Sequence, residues 1–405
     1  MEVFEGKTWI SGQGLVDACI GVSDGKITAV KKILEGDKHT VFQGVILPAA
    51  LDMHVHFRDP GYPHKEDWAS GSVSAACGGV TAVVDMPNTN PFTSDLETFE
   101  EKVSIASSKS LVDFGIGVNV DGDLTSRPWF DSIPAAFWKL YPYGVTSEQY
   151  FDFARDVLSK TTKPMVIHGE HPDYMHNNTL HKLSDHTENR LLAEPECLSA
   201  MPPSDKLHVA HLSTIDGLEN MPESATSEVC PHHLLLSLDN CDSMDCKVDP
   251  PLRTRKDNEG LYQAFREGRI PILSSDHAPH TMDEKKSEDP PSGLPGVETM
   301  VPLMMNEVSE GRLELGRLVN AMAEAPADRL SLDRGRIREG LTADLMVIDL
   351  KKITNIDGAS LHSRASWTPF DGWPAVFPSH VYRRGELIAQ DQEPTVSGGG
   401  QHLFD

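Results

Sequence analysis

Residues 51–61 read LDMHVHFRDPG, and two histidines alternate with apolar residues in this stretch. Side chains of a β-strand alternate between its two faces, so His54 and His56 share one face while Met53, Val55 and Phe57 share the other. We therefore predict a strand that directs two imidazoles to one point. A hydrogen-bonded pair of histidines packed inside a sheet would give the same pattern, so HxH alone does not distinguish packing from metal binding.

Seven further β-rich segments follow this one, and longer helical stretches separate them. Candidate capping boxes at Ser94 with Glu97 and at Thr146 with Gln149 mark two of the helix starts. The eight candidate strands are ALDMHVHF (50–57), TAVVDMP (81–87), DFGIGVNV (113–120), AAFWKLY (135–141), PMVIHGE (164–170), KLHVAHL (206–212), ATSEVCPHH (225–233) and IPILSSDHAP (270–279). This alternation indicates an α/β fold, and eight units predict a closed (β/α)8 TIM barrel over residues 50–330.

The two chain ends have a different pattern. Short alternating segments such as GKITAV, GLTADLMVIDL and HVYRRGELIAQ are separated by Gly and Asp turns. We predict that residues 1–49 and 331–392 together form a small β-sandwich domain. For residues 393–405, which include three consecutive glycines, we predict a mobile tail.

The chain is acidic, since 36 Lys and Arg residues stand against 61 Asp and Glu residues. The resulting net charge of −25 repels phosphate backbones and anionic membranes, so we expect neither as a partner. An anionic substrate would be repelled too, and its site would need local positive charge. The start of the chain does not resemble a secretory signal, and the six cysteines are scattered. We therefore expect a cytoplasmic protein in which Cys241 and Cys246 are inert thiols.

Potential metal ligands end several of the predicted strands. His168, His211 and Asp276 each lie near the carboxyl end of a strand, which is the rim where barrel active sites are built. Together with His54 and His56 they supply imidazole nitrogen and carboxylate oxygen, which suit zinc or a similar divalent ion. Five donors are too many for one catalytic zinc with an open position, and too few for two ions unless another group bridges them.

Lys139, in the fourth strand, is the candidate bridge. Reaction of its amine with carbon dioxide would give an anionic carbamate with one oxygen for each ion. The alternative is a lysine whose stem packs beside Trp138 while its amine reaches solvent.

Four motifs together resemble the dihydroorotase family of the amidohydrolase superfamily. They are HVHFRDPG (54–61), MPNT (86–89), SSDHAPHT (274–281) and GLPGVET (293–299). The resemblance extends from about residue 2 to residue 392, and FWKLY around Lys139 is similar to the lysine-bearing group of the family. It implies the reversible, zinc-dependent closure of N-carbamoyl-L-aspartate to L-dihydroorotate in pyrimidine (UMP) biosynthesis.

The resemblance also implies a role for each site residue. His54, His56 and Asp276 would bind one Zn²⁺, His168 and His211 would bind the second, and N6-carboxylated Lys139 would bridge the two. Asp276 would also be the catalytic residue that moves the proton. The implied substrate-binding residues are His56, Arg58, Asn88 and His280, with backbone groups of Ser292 and Gly293.

Several of these residues have alternative interpretations. Arg58 could form a salt bridge with Asp59 or Glu66, Asn88 could stabilise a turn, and His280 could be an ordinary loop histidine. Asp249 departs from the family, in which Asn is frequent at this place, and would need Arg253 or Arg255 to neutralise it. We therefore do not count Asp249 as a substrate contact. His232 and His233 are predicted to orient other groups or to pack the seventh strand.

Two other functions compete with the one that the resemblance implies. The first is another cyclic amidohydrolase, a dihydropyrimidinase (hydantoinase) or an allantoinase, which would not need Arg58 to hold a carboxylate. The second is a non-catalytic scaffold for aspartate carbamoyltransferase, which would have no reason to keep buried polar groups. A homodimer and an association with aspartate carbamoyltransferase are the protein partners that we consider.

Overall fold

The structure is a computed structural model that describes residues 1–175, 180 and 182–404. Its first four strands form half of a sheet: β1 (Glu2–Ile10), β2 (Gly14–Ser23), β3 (Lys26–Lys31) and β4 (Lys38–Pro48). β1 is antiparallel to β2 and parallel to β4. In β3 the buried Ile27 and Ala29 alternate with exposed residues, so one face of this sheet covers a core.

The next eight strands form the predicted parallel barrel. They are β5 (Ala50–Val55), β6 (Val80–Asp85), β7 (Asp113–Asn119), β8 (Phe137–Leu140), β9 (Met165–His168), β10 (Leu207–Ala210), β11 (Thr226–Val229) and β12 (Ile272–Leu273). They follow one another around the sheet in chain order. A parallel bridge between Val55 and His277 joins the first strand to the segment after the last, so the barrel is nearly closed. The (β/α)8 prediction is confirmed.

Helices connect the barrel strands. They are α1 (Trp68–Cys77), α2 (Leu96–Lys109), α3 (Ser147–Lys160), α4 (Leu183–Asn189), α5 (Ala193–Ala200), α6 (Ile215–Asn220), α7 (Pro231–Leu235), α8 (Arg255–Arg266), α9 (Met282–Lys285), α10 (Val297–Ser309), α11 (Leu315–Val319) and α12 (Ala325–Arg329). A π-helical turn, Asn320–Glu324, lies between the last two. None of the described helices combines the length and the apolar character required to cross a bilayer.

The helix starts test the two predicted capping boxes. Thr146 caps α3 and pairs with Gln149, as predicted. The box of α2 lies one residue further than predicted, because the carboxylate of Asp95 accepts from the Thr98 amide at 2.8 Å. An aspartate is the stronger cap here, since its charge also interacts favourably with the helix N-terminus.

Four of the remaining strands return to the first sheet: β13 (Leu345–Ile348), β16 (His380–Arg383), β17 (Glu386–Gln390) and β18 (Glu393–Pro394). The other two, β14 (Thr354–Asn355) and β15 (Pro374–Ala375), pair with each other in a small antiparallel sheet. β13 pairs with β4, and the sheet has the order β18-β17-β16-β13-β4-β1-β2-β3. Both chain ends therefore build one separate sheet beside the barrel. The proposed domain boundaries fall between β4 and β5 and between α12 and β13.

The segment predicted as a mobile tail contacts the barrel. The Gly400 amide donates to the Ser110 carbonyl at 2.9 Å, and the Leu403 amide donates to the Phe114 carbonyl at 2.8 Å. Leu403 and Phe404 pack against the hydrophobic residues inside the barrel. The prediction rested on the position of this segment at the end of the chain. Its apolar residues Leu403 and Phe404 supply packing contacts, and its mobility stays a prediction.

The cysteines differ from the prediction at one pair. Cys241 and Cys246 are joined as a disulfide, although we expected two inert thiols. A short 3-10 turn, Met244–Cys246, brings the second cysteine back towards the first, and their Cα atoms are 6.3 Å apart. The other four cysteines, Cys19, Cys77, Cys197 and Cys230, are buried free thiols.

Candidate active site

The predicted ligands meet at the carboxyl ends of the barrel strands. A cavity of about 600 Å³ opens there. Of the predicted metal ligands, its wall includes His54, His56, His168, His211 and Asp276. Lys139 is fully buried beside them. The parallel strands explain this arrangement, since residues far apart in sequence end at the same rim.

One group of three donors has the geometry of a metal site. His54 Nε2 lies 3.3 Å and His56 Nε2 lies 3.1 Å from the same oxygen of Asp276, Oδ1. Ligands on one zinc ion with bonds of about 2.0–2.1 Å lie roughly this far apart. The three side chains are buried, and their donor atoms fit a single divalent cation.

A buried carboxylate orients His54. Glu228, in β11, contacts His54 Nδ1 through Oε1, so the Nε2 atom of His54 faces Asp276. Glu228 Oε2 accepts from Ser274 Oγ at 2.7 Å. Burial opposes ionisation, but the charge of His54 and the hydrogen bond from His208 lower the pKa of Glu228 well below its usual value. Carboxylates of this kind commonly fix the orientation of metal-binding histidines.

Glu228 was missed from the sequence, although a signal existed. A charged residue inside the predicted barrel strand ATSEVC is unusual because such strands are buried, and Glu228 contacts His54 and His208 there.

The second histidine pair has its own carboxylate. His168 Nε2 lies 2.7 Å from Glu170 Oε2, which leaves Nδ1 of His168 for another partner. The rings of His168 and His211 have centroids 4.6 Å apart. His211 Nδ1 is buried without a hydrogen-bond partner among the described residues. A cation between these two histidines would satisfy that nitrogen.

Lys139 lacks a partner as well. Its side chain is fully buried, and its Nζ atom has no hydrogen bond to any described residue. Burial lowers the pKa of Lys139 to about 8, against the opposing effect of Glu228 and Asp276. The alternative of a lysine that reaches solvent is therefore wrong. The lowered pKa makes the neutral amine, the form that reacts with carbon dioxide, more accessible, and no hydrogen bond to a described residue ties it up.

Three backbone positions at the site are strained. Arg58, His211 and Asp276 have φ angles of 62°, 37° and 46°, in the left-handed region that non-glycine residues rarely adopt. The residue after Asp276 is held from two sides: His277 Nδ1 accepts from the Gly296 amide at 3.0 Å, and its Nε2 lies 3.3 Å from Glu66. Strain of this kind persists only where the surroundings enforce it, and it concentrates at functional sites.

Arg58 is a buried cation without a carboxylate partner among the described residues. Its side chain lines the cavity and is 9% exposed, and its Nε atom has no hydrogen bond. The alternative salt bridges are absent because Asp59 pairs with Lys109 at 2.6 Å and Glu66 accepts from Ser363 at 2.6 Å. Burial lowers the pKa of Arg58, although the more distant charges of Asp276 and Asp85 oppose the shift. The cavity thus has the local positive charge that an anionic ligand would require.

The other predicted substrate contacts surround Arg58. His280 Nε2 is 3.2 Å from Arg58 Nη2 and 3.1 Å from the carbonyl of Ser292. Asn88 Oδ1 lies 2.7 Å from His56 Nδ1, so this side chain also orients a predicted metal ligand. Gly293 has a φ of 140°, and a Cβ there would lie 2.3 Å from the Ala278 carbonyl oxygen. Only glycine fits at this edge of the cavity.

Asp249 is neutralised by residues other than those predicted. His186 Nε2 lies 2.7 Å and Arg190 Nη1 lies 3.1 Å from Asp249 Oδ1, and the hydroxyl of Tyr143 donates to Oδ2 at 3.1 Å. Burial opposes ionisation, but Arg190 and His186 lower the pKa of Asp249. The prediction that Arg253 or Arg255 compensates this charge is wrong. Arg253 lies 3.6 Å from Glu170, and Arg255 forms an exposed pair with Glu259.

His232 and His233 are both buried in α7. His233 Nε2 donates to the carbonyl of Pro250 at 3.1 Å, next to Asp249. This contact agrees with a role in orienting neighbouring groups.

The sequence of this chain is similar to a known protein family and to individual members of it. Residues 45–388 match the model of the amidohydrolase family. The dihydroorotase of Halobacterium salinarum is 37% identical over 85% of this chain and 86% of its own length. That of Archaeoglobus fulgidus is 35% identical over 96% and 97% of the two chains.

Solved structures extend the likeness to the whole chain. The L-hydantoinase (dihydropyrimidinase) of Arthrobacter aurescens superposes with a TM-score of 0.91 at 26% identity, over 100% of this chain and 99% of that one. The dihydropyrimidinase of Brevibacillus agri has a TM-score of 0.87 at 19% identity, over 100% and 99%, and shares the fold. The chain therefore belongs to the amidohydrolase family, and it is a cyclic amide hydrolase.

Proposed function

We propose that this protein is a dihydroorotase, which interconverts N-carbamoyl-L-aspartate and L-dihydroorotate. The observation that carries the proposal is the buried guanidinium of Arg58, which faces the cavity without a carboxylate partner among the described residues. The dihydroorotate ring carries a carboxylate that would supply the missing negative charge. The relatives named dihydroorotase, at 33–37% identity, support the same reaction.

The residues at the rim fit two zinc ions. His54, His56 and Asp276 would hold one ion, His168 and His211 the other, and N6-carboxylated Lys139 would bridge them. The unpartnered nitrogens of His211 and Lys139 support this arrangement, because each would gain a ligand contact or a covalent carboxylate. When bound, such ions would polarise the amide carbonyl and lower the pKa of a bound water, so that hydroxide is available as the nucleophile at neutral pH.

Asp276 would move the proton during ring opening. Its carboxylate accepts a proton from the attacking water and delivers it to the ring nitrogen as the carbon–nitrogen bond breaks. In ring closure the same carboxylate takes a proton from the carbamoyl nitrogen. Burial raises the pKa of Asp276 in the metal-free protein, although the charges of His54 and Lys139 oppose the shift.

The remaining polar groups would orient the substrate. Arg58 and His280 donate to the ring carboxylate, and the amide nitrogen of Asn88 is available for the same oxygen atoms. These contacts would direct the scissile amide towards the predicted metal ligands. Ser292 and Gly293 line the same cavity, and their backbone groups would contact the ring.

A substrate panel tests this function against its nearest competitor. The fold and the 26% identity to a hydantoinase favour dihydropyrimidinase activity as the second candidate. We expect the purified, zinc-loaded protein to turn over carbamoyl aspartate and dihydroorotate, and to act far more slowly on dihydrouracil, hydantoin and allantoin. A preference for an uncharged ring would contradict the proposal. Failure to act on every compound while binding aspartate carbamoyltransferase would favour the scaffold instead.

Arg58→Ala should mainly weaken substrate binding. Charge-assisted hydrogen bonds contribute about 1.5–3 kcal/mol, so KM for dihydroorotate should rise about 10- to 100-fold with a smaller change in kcat. Steady-state kinetics in both directions measure the effect. Arg155→Ala, which removes an exposed arginine paired with Asp152, is the matched control. An unchanged KM would place the substrate carboxylate elsewhere.

The setting of the enzyme follows from the same proposal. We place it in pyrimidine biosynthesis in the cytoplasm, with a small-molecule substrate. A homodimer and an association with aspartate carbamoyltransferase stay predictions.

A further inference from the structure

Lys65 contacts the histidine that would bind the substrate carboxylate. Its Nζ atom lies 3.2 Å from His280 Nδ1, and its side chain is largely buried, with 16% exposed. Glu284 Oε1 lies 3.1 Å from the same ammonium and holds it in place. Lys65 belongs to the segment HKED (64–67), to which the sequence analysis assigned no role.

Two of the three close neighbours of the His280 ring fit the same tautomer. A lysine ammonium has only donors, so Nδ1 of His280 must accept and carries no proton. The other ring nitrogen, Nε2, then carries the proton and donates to the carbonyl of Ser292 at 3.1 Å. The opposite tautomer would let Nε2 accept from Arg58 Nη2, with Glu284 Oε2 3.7 Å from Nδ1. It would also direct the N–H group of Nδ1 at the Lys65 ammonium and leave the Ser292 carbonyl without this donor, so it loses two contacts to keep one.

This tautomer has a consequence for ligand binding. Arg58 Nη2 lies 3.2 Å from His280 Nε2, and both atoms are donors when Nε2 is protonated. Two donors this close, at the wall of a cavity, require a shared acceptor. The carboxylate of a substrate supplies one: it accepts from Arg58 Nη2 and shares the single Nε2–H of His280 with the Ser292 carbonyl.

The position of His280 is fixed from a third side. The indole Nε1 of Trp367 donates to the His280 backbone carbonyl at 2.8 Å. The backbone of His280 is therefore held independently of Lys65. Loss of Lys65 should change which ring nitrogen carries the proton without displacing the loop.

We propose that Lys65 is a positioning residue that fixes His280 as the Nε2–H tautomer and thereby makes it a donor to the carboxylate of the substrate. The inference rests on the proposed function for the identity of the ligand. The tautomer itself is a property of the protein without substrate. A surface ion pair between Lys65 and Glu284 alone would leave His280 free to exchange its proton between the two nitrogens.

The first test measures the tautomer directly. Protein with ¹⁵N-labelled histidine is loaded with zinc and studied by NMR, and the signal of His280 is assigned from its loss in His280→Gln. We expect the ¹⁵N shifts of a pure Nε2–H tautomer in the wild type, a mixture in Lys65→Met, and recovery of the pure form in Lys65→Arg. A wild-type Nδ1–H tautomer would overturn the proposal, as would an unchanged pattern in Lys65→Met.

Kinetics provide the second test. Lys65→Met should raise KM for dihydroorotate about 10-fold with little change in kcat, and Lys65→Arg should restore most of the loss. Lys160→Met, which removes a lysine paired with Asp156 on α3, should behave as wild type. An unchanged KM in Lys65→Met would overturn the role in binding. If the protein does not use dihydroorotate at all, the proposed function fails while the NMR result still decides the tautomer.

Discussion

Asp276→Asn should abolish most of the activity while the protein still binds its metal ions. The asparagine keeps an oxygen that can face His54 and His56, but it cannot accept a proton from water. Proton transfer by a positioned side chain contributes roughly 10²- to 10⁴-fold to catalysis, so we expect kcat to fall about 10³-fold in both directions. The measurement combines steady-state rates with the metal content of the purified protein.

The control for this variant keeps the same chemical change at the surface. Asp152→Asn alters an exposed aspartate on α3 that pairs with Arg155, and it should leave both rate and metal content unchanged. Near-normal turnover by Asp276→Asn would refute the proton-transfer role. Loss of activity together with loss of metal would instead assign Asp276 to metal binding alone.

Lys139→Met should remove the binuclear metal site and nearly all activity. Methionine keeps an apolar stem of similar length but cannot form a carbamate. The metal ions would lose their common ligand. Metal ions stabilise the charge of the transition state by several kcal/mol, so we expect kcat to fall by about 10³-fold or more. Metal analysis should show fewer than two ions for each chain.

Two further measurements separate this role from a structural one. Native mass spectrometry of the zinc-loaded wild type should show a chain heavier by one carbon dioxide, and peptide mapping should place it on Lys139. Thermal unfolding of metal-free Lys139→Met should show no loss of stability, because the variant no longer buries an unpartnered amine. An unmodified Lys139 in fully active enzyme would contradict the proposed bridge.

The cause of both effects is the same feature of the barrel. Lys139 lies near the end of the fourth barrel strand and Asp276 follows the eighth, 137 positions further along the chain. Parallel strands with similar register deliver both to one rim, so each substitution acts on a site that the whole barrel assembles.

The sequence alone determined the barrel and the residues at its rim. Strand periodicity placed His54 and His56 on one face, and each further donor followed a recognisable apolar run. These are local signals, because the alternation of a strand and the residue at its end can be read within a few positions.

Only the tertiary structure decided how these residues are supported. Glu228 lies 174 positions from His54, Arg190 lies 59 from Asp249, and Lys65 lies 215 from His280. Nothing in a local pattern pairs such residues, because a buried charge is neutralised by whichever group the fold brings within hydrogen-bond distance. The sequence also could not show that Arg58 lacks a carboxylate partner. This depends on Lys109 pairing with Asp59 and on Ser363 donating to Glu66.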